Sequence, residues 1–353
     1  MSISQPLQRL LAEAVRQNAS DLHITVGSHP MLRIAGELVP LDHEGIVDPA
    51  SAEELISSLL NEAQRARLAS ERQLDCAHSL PDGTRIRVNA YFQQNTLAAA
   101  MRLIPATIRG IDELNLPPLL HGMAKLTQGL ILMVGPAGHG KSTTTAALLD
   151  EIARTRAAHI ITIEDPIEHV FSRANGLVSQ REVGADTRSF ADGLRTVLRQ
   201  DPDVIMVGEM RDAESIATAM TAAETGHLVI STLHTNSASQ TIDRIIDTFP
   251  PEQQQQVVAQ IAATLVATFS ERLVPRVGGG RIPAFEIMVA NPAVRNLIRE
   301  HKIFGIDSVL QTGGTEGMTT LERSLAQLVK EKKVAADDAE RFALNPGELR
   351  KLL

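Results

Sequence analysis

The sequence predicts an α/β protein of two unequal domains, the larger built on a mainly parallel sheet with helices on both faces. Three observations carry this. From residue 129 onward, short and largely apolar runs at 130–134, 159–163, 204–207 and 228–231 alternate with helical stretches, the pattern of strands buried on both sides. Earlier in the chain, 21–26, 31–34, 84–91 and 96–103 alternate or run apolar like the strands of a smaller sheet, with a helical composition over 50–70. Between the two lies a stretch punctuated by Pro105, Gly110, Pro117 and Pro118, which reads as a linker. The expected organisation is therefore an amino-terminal α/β domain over 1–103, a linker over 104–120, a larger α/β core over 121–291 and a helical region over 292–353.

Length and composition agree with this. The chain has 353 residues, enough for two hydrophobic cores, with 43% apolar and 22% charged residues. Trp is absent and Tyr occurs once, which predicts an aliphatic interior. With 34 basic against 42 acidic residues the net charge is −8, which argues against a nucleic-acid motor with a basic footprint. Cys76 is the only cysteine, so no disulfide within the chain and no tetracysteine zinc site can form. It reads as a small buried apolar residue. No apolar run reaches the ~18–20 residues of a membrane-spanning helix. Instead of a signal peptide, Ile3, Leu7, Leu10, Leu11, Ala14 and Val15 recur at helical spacing. We therefore expect a cytoplasmic protein that meets a membrane only through a partner.

The strongest chemical signal is Gly135-Pro136-Ala137-Gly138-His139-Gly140-Lys141-Ser142-Thr143, a GxxxxGK[ST] loop between an apolar strand and a helix. Its glycines let successive N–H groups turn toward phosphate oxygens, and the helix N-terminus favours the same anion. Lys141 would neutralise the β- and γ-phosphates of ATP, and the Ser142 hydroxyl would ligate Mg²⁺. A second strand, in Asp201-Pro202-Asp203-Val204-Ile205-Met206-Val207-Gly208-Glu209, ends in a carboxylate as a Walker B strand does. Gly208 occupies the usual aspartate position, so the acid must be Glu209. A third, Ile161-Thr162-Ile163-Glu164-Asp165-Pro166-Ile167-Glu168, delivers further acids; Asp165 and Glu168 also read as turn or cap residues. Two carboxylates from separate strands permit one to support Mg²⁺ while the other orients water. A fourth, Glu224-Thr225-Gly226-His227-Leu228-Val229-Ile230-Ser231-Thr232-Leu233-His234-Thr235, places histidines around a buried strand, where one could sense a γ-phosphate.

Taken together and in this order, the four motifs resemble those of the secretion-type ATPases of type IV pili and type II secretion, and among these the retraction ATPases of the type IV pilus. Supporting segments are Ala19-Ser20-Asp21-Leu22-His23, Gln180-Arg181-Glu182-Val183-Gly184, the stretch 278–281, Glu286-Ile287-Met288 and Ala293-Val294-Arg295-Asn296-Leu297-Ile298-Arg299-Glu300. The resemblance spans nearly the whole chain. It implies a PAS-like α/β domain followed by a RecA-like P-loop ATPase core with a helical tail. It also implies a hexameric ring that hydrolyses ATP with Mg²⁺ and acts on a membrane-embedded pilus platform, with room for a second retraction ATPase beside it. Glu164 falls on that family's catalytic glutamate, Glu209 on its Walker B glutamate, and His227 and His234 in its histidine box. Arg87 and Arg102 match arginines that reach a nucleotide across a subunit boundary. The departures are Ala137 and His139, where hydroxyl residues are usual in the loop, and Phe285 in place of a histidine. They put phosphate contacts and turnover rate in question, with His139 offering a pH-sensitive contact. The rival readings are a pilus-extension or secretion ATPase, and an accessory ATP-binding subunit that tunes another motor. At the carboxyl side, Val294, Leu297 and Ile298 form an apolar stripe, and Arg295 with Arg299 would form a basic ridge on another face that passes motion to a neighbour.

Overall fold

The computed structural model describes residues 3–34, 36–80, 84–104, 107–171 and 175–353. Pro105, which belongs to the expected linker, lies outside them. The chain divides into two compact units, one formed by residues up to Thr107 together with Pro166–Val170, the other by Ile108–Asp165 and Phe171–Leu353.

The first unit runs α1 (Gln5–Arg16), β1 (Asp21–Ile24), β2 (Met31–Ile34), β3 (Glu37–Pro40), α2 (Pro49–Ser57), α3 (Glu62–Glu71), β4 (Gln73–Ser79), β5 (Arg85–Gln93) and β6 (Thr96–Ile104). Its strands form one antiparallel sheet in the order β3-β2-β1-β6-β5-β4. Helix α1 buries Leu7, Leu10, Leu11 and Ala14, the stripe its spacing predicts. The helical stretch over 50–70 is two helices. Asn61 and Gln64 form a reciprocal capping box that starts α3 anew, which overrides the continuous helical composition. Strand β4 escapes a pattern reading because only Leu74 and Cys76 of its seven residues are buried. Cys76 is indeed buried.

The second unit's first helix is α4 (Leu119–Met123), which straddles the end of the expected linker, and the unit continues β7 (Gly129–Val134), α5 (Lys141–Thr155), β8 (His159–Glu164), β9 (Leu177–Glu182), α6 (Phe190–Val197), β10 (Val204–Val207), α7 (Ala213–Glu224) and β11 (Leu228–Leu233). Then come α8 (Ala238–Asp247), α9 (Pro251–Thr264), β12 (Leu265–Pro275), β13 (Arg281–Val289), α10 (Pro292–Arg299), α11 (Ile306–Thr312), α12 (Leu321–Lys330), α13 (Ala336–Phe342) and α14 (Pro346–Leu352). Seven strands form one sheet in the order β13-β12-β7-β11-β10-β8-β9, parallel except where β13 returns antiparallel to β12.

The apolar runs have their cause in two cores. Leu130, Leu132 and Val134 face a core shared with α7, α8 and α9, while Ile131 and Met133 face another shared with α4 and α5. Neighbouring β10 and β11 split in the same way and are buried at every position, so no polar alternation survives in them. A smaller core joins Val274 and Ile282 of the β12–β13 ribbon to Leu321, Leu325 and Leu349 of the carboxyl-terminal helices. The parallel strands β7, β8, β10 and β11 bring Val134, Glu164, Val207 and Leu233 to one edge of the sheet, where their following loops meet.

Candidate functional site

The loop from Gly135 to Gly140 leaves β7 and enters α5 at Lys141. Two glycines are fixed by close approach as well as by conformation. With φ +140°, a Cβ on Gly135 would lie 2.5 Å from the carbonyl oxygen of Glu271; with φ +102°, one on Gly140 would lie 2.2 Å from its Oε1. Strand β12 thus presses so near the loop that only glycine fits. Helix α5 has no side-chain cap, and Thr144 N–H is the amide that bonds back to Gly140 O (2.9 Å). The first amides of α5, at 141–143, precede the helix's own hydrogen bonding and lie where its N-terminus favours an anion.

Lys141 is buried, and its Nζ donates to Gly135 O (2.7 Å) and Pro136 O (2.9 Å). It also lies 3.3 Å from Nδ1 of His234. His234 follows β11, and its Nε2 is 3.5 Å from Oε2 of Glu209, which follows β10. Arg211 Nη2 holds the same oxygen at 2.7 Å. Burial works against the charged form of Glu209, but Arg211, His234 and Lys141 together outweigh it and hold the carboxyl below its usual range. Gly208 explains the missing aspartate. Its N–H donates to Ile163 O (2.8 Å), and a Cβ there would stand 3.2 Å from that oxygen and 3.5 Å from the Glu164 Cα. A side chain at 208 would crowd β8 at the point where Glu164 emerges.

Glu164 closes β8 and is buried, with Oε1 accepting from Thr162 Oγ1 (2.7 Å) and from Gln180 Nε2 (3.0 Å). Gln180 belongs to the edge strand β9, and through this bond the QREVG segment fixes the direction of the Glu164 carboxylate. Asp165 is exposed. Glu168 lies in the 166–170 segment of the first unit, where it pairs with Arg87 (3.5 Å).

Other expected residues fall differently. His227 precedes β11, whereas His234 follows it. Six strand residues at ~3.3 Å each separate them by roughly 20 Å, so one strand cannot bring both to the phosphate loop. His227 instead bonds Ala222 O (3.0 Å) and Thr225 Oγ1 (3.3 Å) at the end of α7. His139 spends Nδ1 accepting the Leu273 amide (3.0 Å), with its ring against Phe342. Burial, together with Arg272, Lys141 and Arg281, lowers its basicity, so the expected pH-sensitive contact becomes a brace on β12. Phe285 is buried in the core beneath the sheet. In the first unit Arg87 and Arg102 are direct cross-strand partners, and Arg102 Nε is 3.0 Å from Asp21 Oδ1.

The basic ridge on α10 does not form as expected. Val294 and Ile298 are buried, but Arg295 is turned inward: Nη1 donates to the carbonyls of Ala262 and Ala263, Nη2 to Leu265 O (2.8 Å) and Nε to Ala290 O (2.8 Å). It satisfies the carbonyl end of α9, leaving Arg299 exposed alone. Sequence reasoning also missed Glu271, Arg272, Arg211 and the Thr162–Gln180 support. The one visible signal was a Glu-Arg pair interrupting the apolar run of β12.

As to what the site can hold, the unoccluded turn at Gly138 (φ +76°, nothing within 4 Å of a Cβ position) and the α5 amides suit a chain of phosphates. Ser142 is exposed at the helix start, and Glu209 and Glu164 add oxygen donors. Oxygens suit Mg²⁺, which takes one or two protein ligands and completes its shell with phosphate and water. Among the described residues no three His, Cys, Asp or Glu side chains form a metal cage. No helix is long and apolar enough to cross a membrane among them either.

Residues 1–281 match the family described as type II/IV secretion system protein. The type IV pilus retraction ATPase PilT of Pseudomonas aeruginosa is 43% identical over 345 residues, covering 96% of this chain and 98% of that protein. A twitching motility protein of Neisseria gonorrhoeae is 45% identical over 320 residues, covering 90% and 84%. Among solved structures, the pilus retraction motor PilT with bound ADP superposes with a TM-score of 0.90 at 43% identity, covering 97% and 98%.

Proposed function

The chain belongs to the type II/IV secretion system protein family, and from that premise we propose that it is an ATP-hydrolysing motor that powers retraction of the type IV pilus. The observation that carries the reading is the convergence of Lys141, His234 and Glu209 at the carboxyl ends of three neighbouring parallel strands, with Glu164 at the end of a fourth. Retraction rather than extension is supported by relatives of that name matching over almost their whole length.

The residues divide the work as follows. The amides of 141–143 and the turn at Gly138 seat the phosphates. Lys141 leaves the carbonyls of Gly135 and Pro136 for the β/γ-phosphate oxygens, exchanging neutral acceptors for charged ones. Ser142 and Glu209 would hold Mg²⁺, which when bound neutralises charge on the β- and γ-phosphates. Glu164, fixed by Thr162 and Gln180, orients the attacking water and takes its proton. His234 touches both Lys141 and Glu209, so a change at the phosphate is felt at the Walker B strand. Arg87 and Arg102 complete a neighbouring subunit's site in a homo-hexamer. The ring works in the cytoplasm against an inner-membrane platform protein of the pilus machinery.

The test is phosphate release from purified protein with Mg²⁺ and ATP. Turnover in the wild type and its near-complete loss in Lys141→Ala are expected. ATP binding without turnover in the wild type would overturn the motor reading and leave an accessory subunit.

A further inference from the structure

Glu271 has no part in the roles above, yet it is among the most deeply placed charged residues of the chain, 3% exposed in the middle of β12. Its carbonyl oxygen abuts Gly135 and its Oε1 abuts Gly140, at the distances that exclude any side chain there. Its Oε2 accepts from Thr144 Oγ1 (2.8 Å) in the first turn of α5. Glu271 is therefore built into the phosphate loop from the β12 side: its backbone meets the loop's beginning, and its carboxyl meets the loop's end and the helix it opens.

The groups around it are unequal. Lys141 contributes a positive charge from α5. Arg272, the next residue of β12, places Nη1 on the Glu271 carbonyl (3.2 Å) and Nη2 on Asn236 Oδ1 (2.9 Å). From the loop, His139 is bound to the Leu273 amide, and from β13 Arg281 reaches Gly138 O (3.4 Å). Glu286 of β13 stands opposite Ser270 and caps α8 through the Ala238 amide (2.7 Å). The hydrogen-bond donor to the Glu271 carboxyl is a neutral hydroxyl. Burial pushes this carboxyl up to about 8, against smaller opposing pulls from Thr144 and Lys141.

We propose that Glu271 is a positioning residue for nucleotide binding: neutral, it braces the loop in the shape that accepts phosphate, and ionised, it draws on Lys141 and opposes the incoming phosphate charge. This rests on the nucleotide reading of the loop. Phosphate brought to Lys141 makes the ionised form of Glu271 less favourable still. Binding must then take up a proton wherever the free protein has begun to lose it. Each pKa unit by which binding shifts the group changes affinity about tenfold once the pH exceeds both values.

The experiment is calorimetric titration of ADP, with EDTA present, into the purified full chain at pH 7, 8 and 9, in buffers of different ionisation enthalpy. The wild type should take up a fraction of a proton at pH 8 and lose severalfold to about tenfold in affinity between pH 7 and 9. Glu271→Gln keeps an acceptor for Thr144 but nothing to ionise. It should bind ADP at pH 7 like the wild type, without proton uptake at pH 8, and hold its affinity at pH 9. A merely structural role would shift the affinity of the variant equally at all three pH values. Wild-type binding with no proton uptake at pH 8, or a variant with the wild-type pH profile, overturns the proposal. If the variant does not fold, the wild-type uptake decides alone. Absence of ADP binding at pH 7 would instead refute the nucleotide site itself.

Discussion

Replacing Arg295 by Ala should destabilise the ATPase unit, whereas Arg299→Ala should not. Arg295 is the better probe because its guanidinium donates to four carbonyls, three of them at the end of α9. A hydrogen bond from a charged donor contributes ~1.5–3 kcal/mol, and removing a partner leaves the acceptors to find water. The site is only partly buried, so water reaches some of these carbonyls and the terms do not add. We therefore expect a loss of ~2–4 kcal/mol, well below four full bonds. For a unit of this size that lowers the melting temperature by roughly 5–10 °C. Arg299 is exposed, and its truncation should stay within about 0.5 kcal/mol. Thermal unfolding of the two purified variants, followed by circular dichroism, separates the cases. An Arg295→Ala protein that melts with the wild type would refute the capping role. Any coupling function of α10 is then to be probed through Arg299, whose loss should spare ATPase activity and reduce retraction.

Glu164→Gln should retain ATP with little turnover, while Glu209→Gln should also raise the Mg²⁺ concentration needed for residual activity; superimposable Mg²⁺ titrations would sink that division of roles. Arg102→Ala subunits carry intact phosphate loops and Lys141→Ala subunits carry intact arginines, so mixed rings should regain part of the activity that each lacks alone. No recovery with mixing verified would mean self-contained sites. Burial raises Glu271 and Glu286 to about 8 and about 7, from 4.5 for a free glutamate. The folded chain then binds more protons than the unfolded one between those values, so stability from these groups falls as pH rises from roughly 4.5 to 8. Glu286→Gln should flatten the decline in melting temperature between about pH 5 and 7, and an unchanged slope there would contradict the assignment.

What could be read in the sequence follows from how strands are buried. β7, β8, β10 and β11 show as apolar runs because both faces are covered, and the motifs at their ends come with them. β9 is an edge strand with only partial cover, so its Ser179, Gln180, Arg181 and Glu182 conceal it. β12 carries Ser270, Glu271 and Arg272 in a fully buried stretch, and charges there argue against a strand until their partners at Thr144 of α5 and at Asn236 are known. Such partners are more than a hundred residues away for Glu271, beyond any local pattern. The same limit hid the inward turn of Arg295: helical spacing places it on a face, but only the end of α9 decides what that face meets. His227 and His234 look alike in sequence, and only strand direction separates the one at the phosphate edge from the one behind it.

The central claim is that hydrolysis at this phosphate loop drives pilus retraction, and labelled pili on living cells test it most directly. A strain whose own copy of this chain carries Lys141→Ala should extend pili and fail to withdraw them, with withdrawal restored by the wild-type chain. Normal withdrawal in the Lys141→Ala strain would contradict the claim.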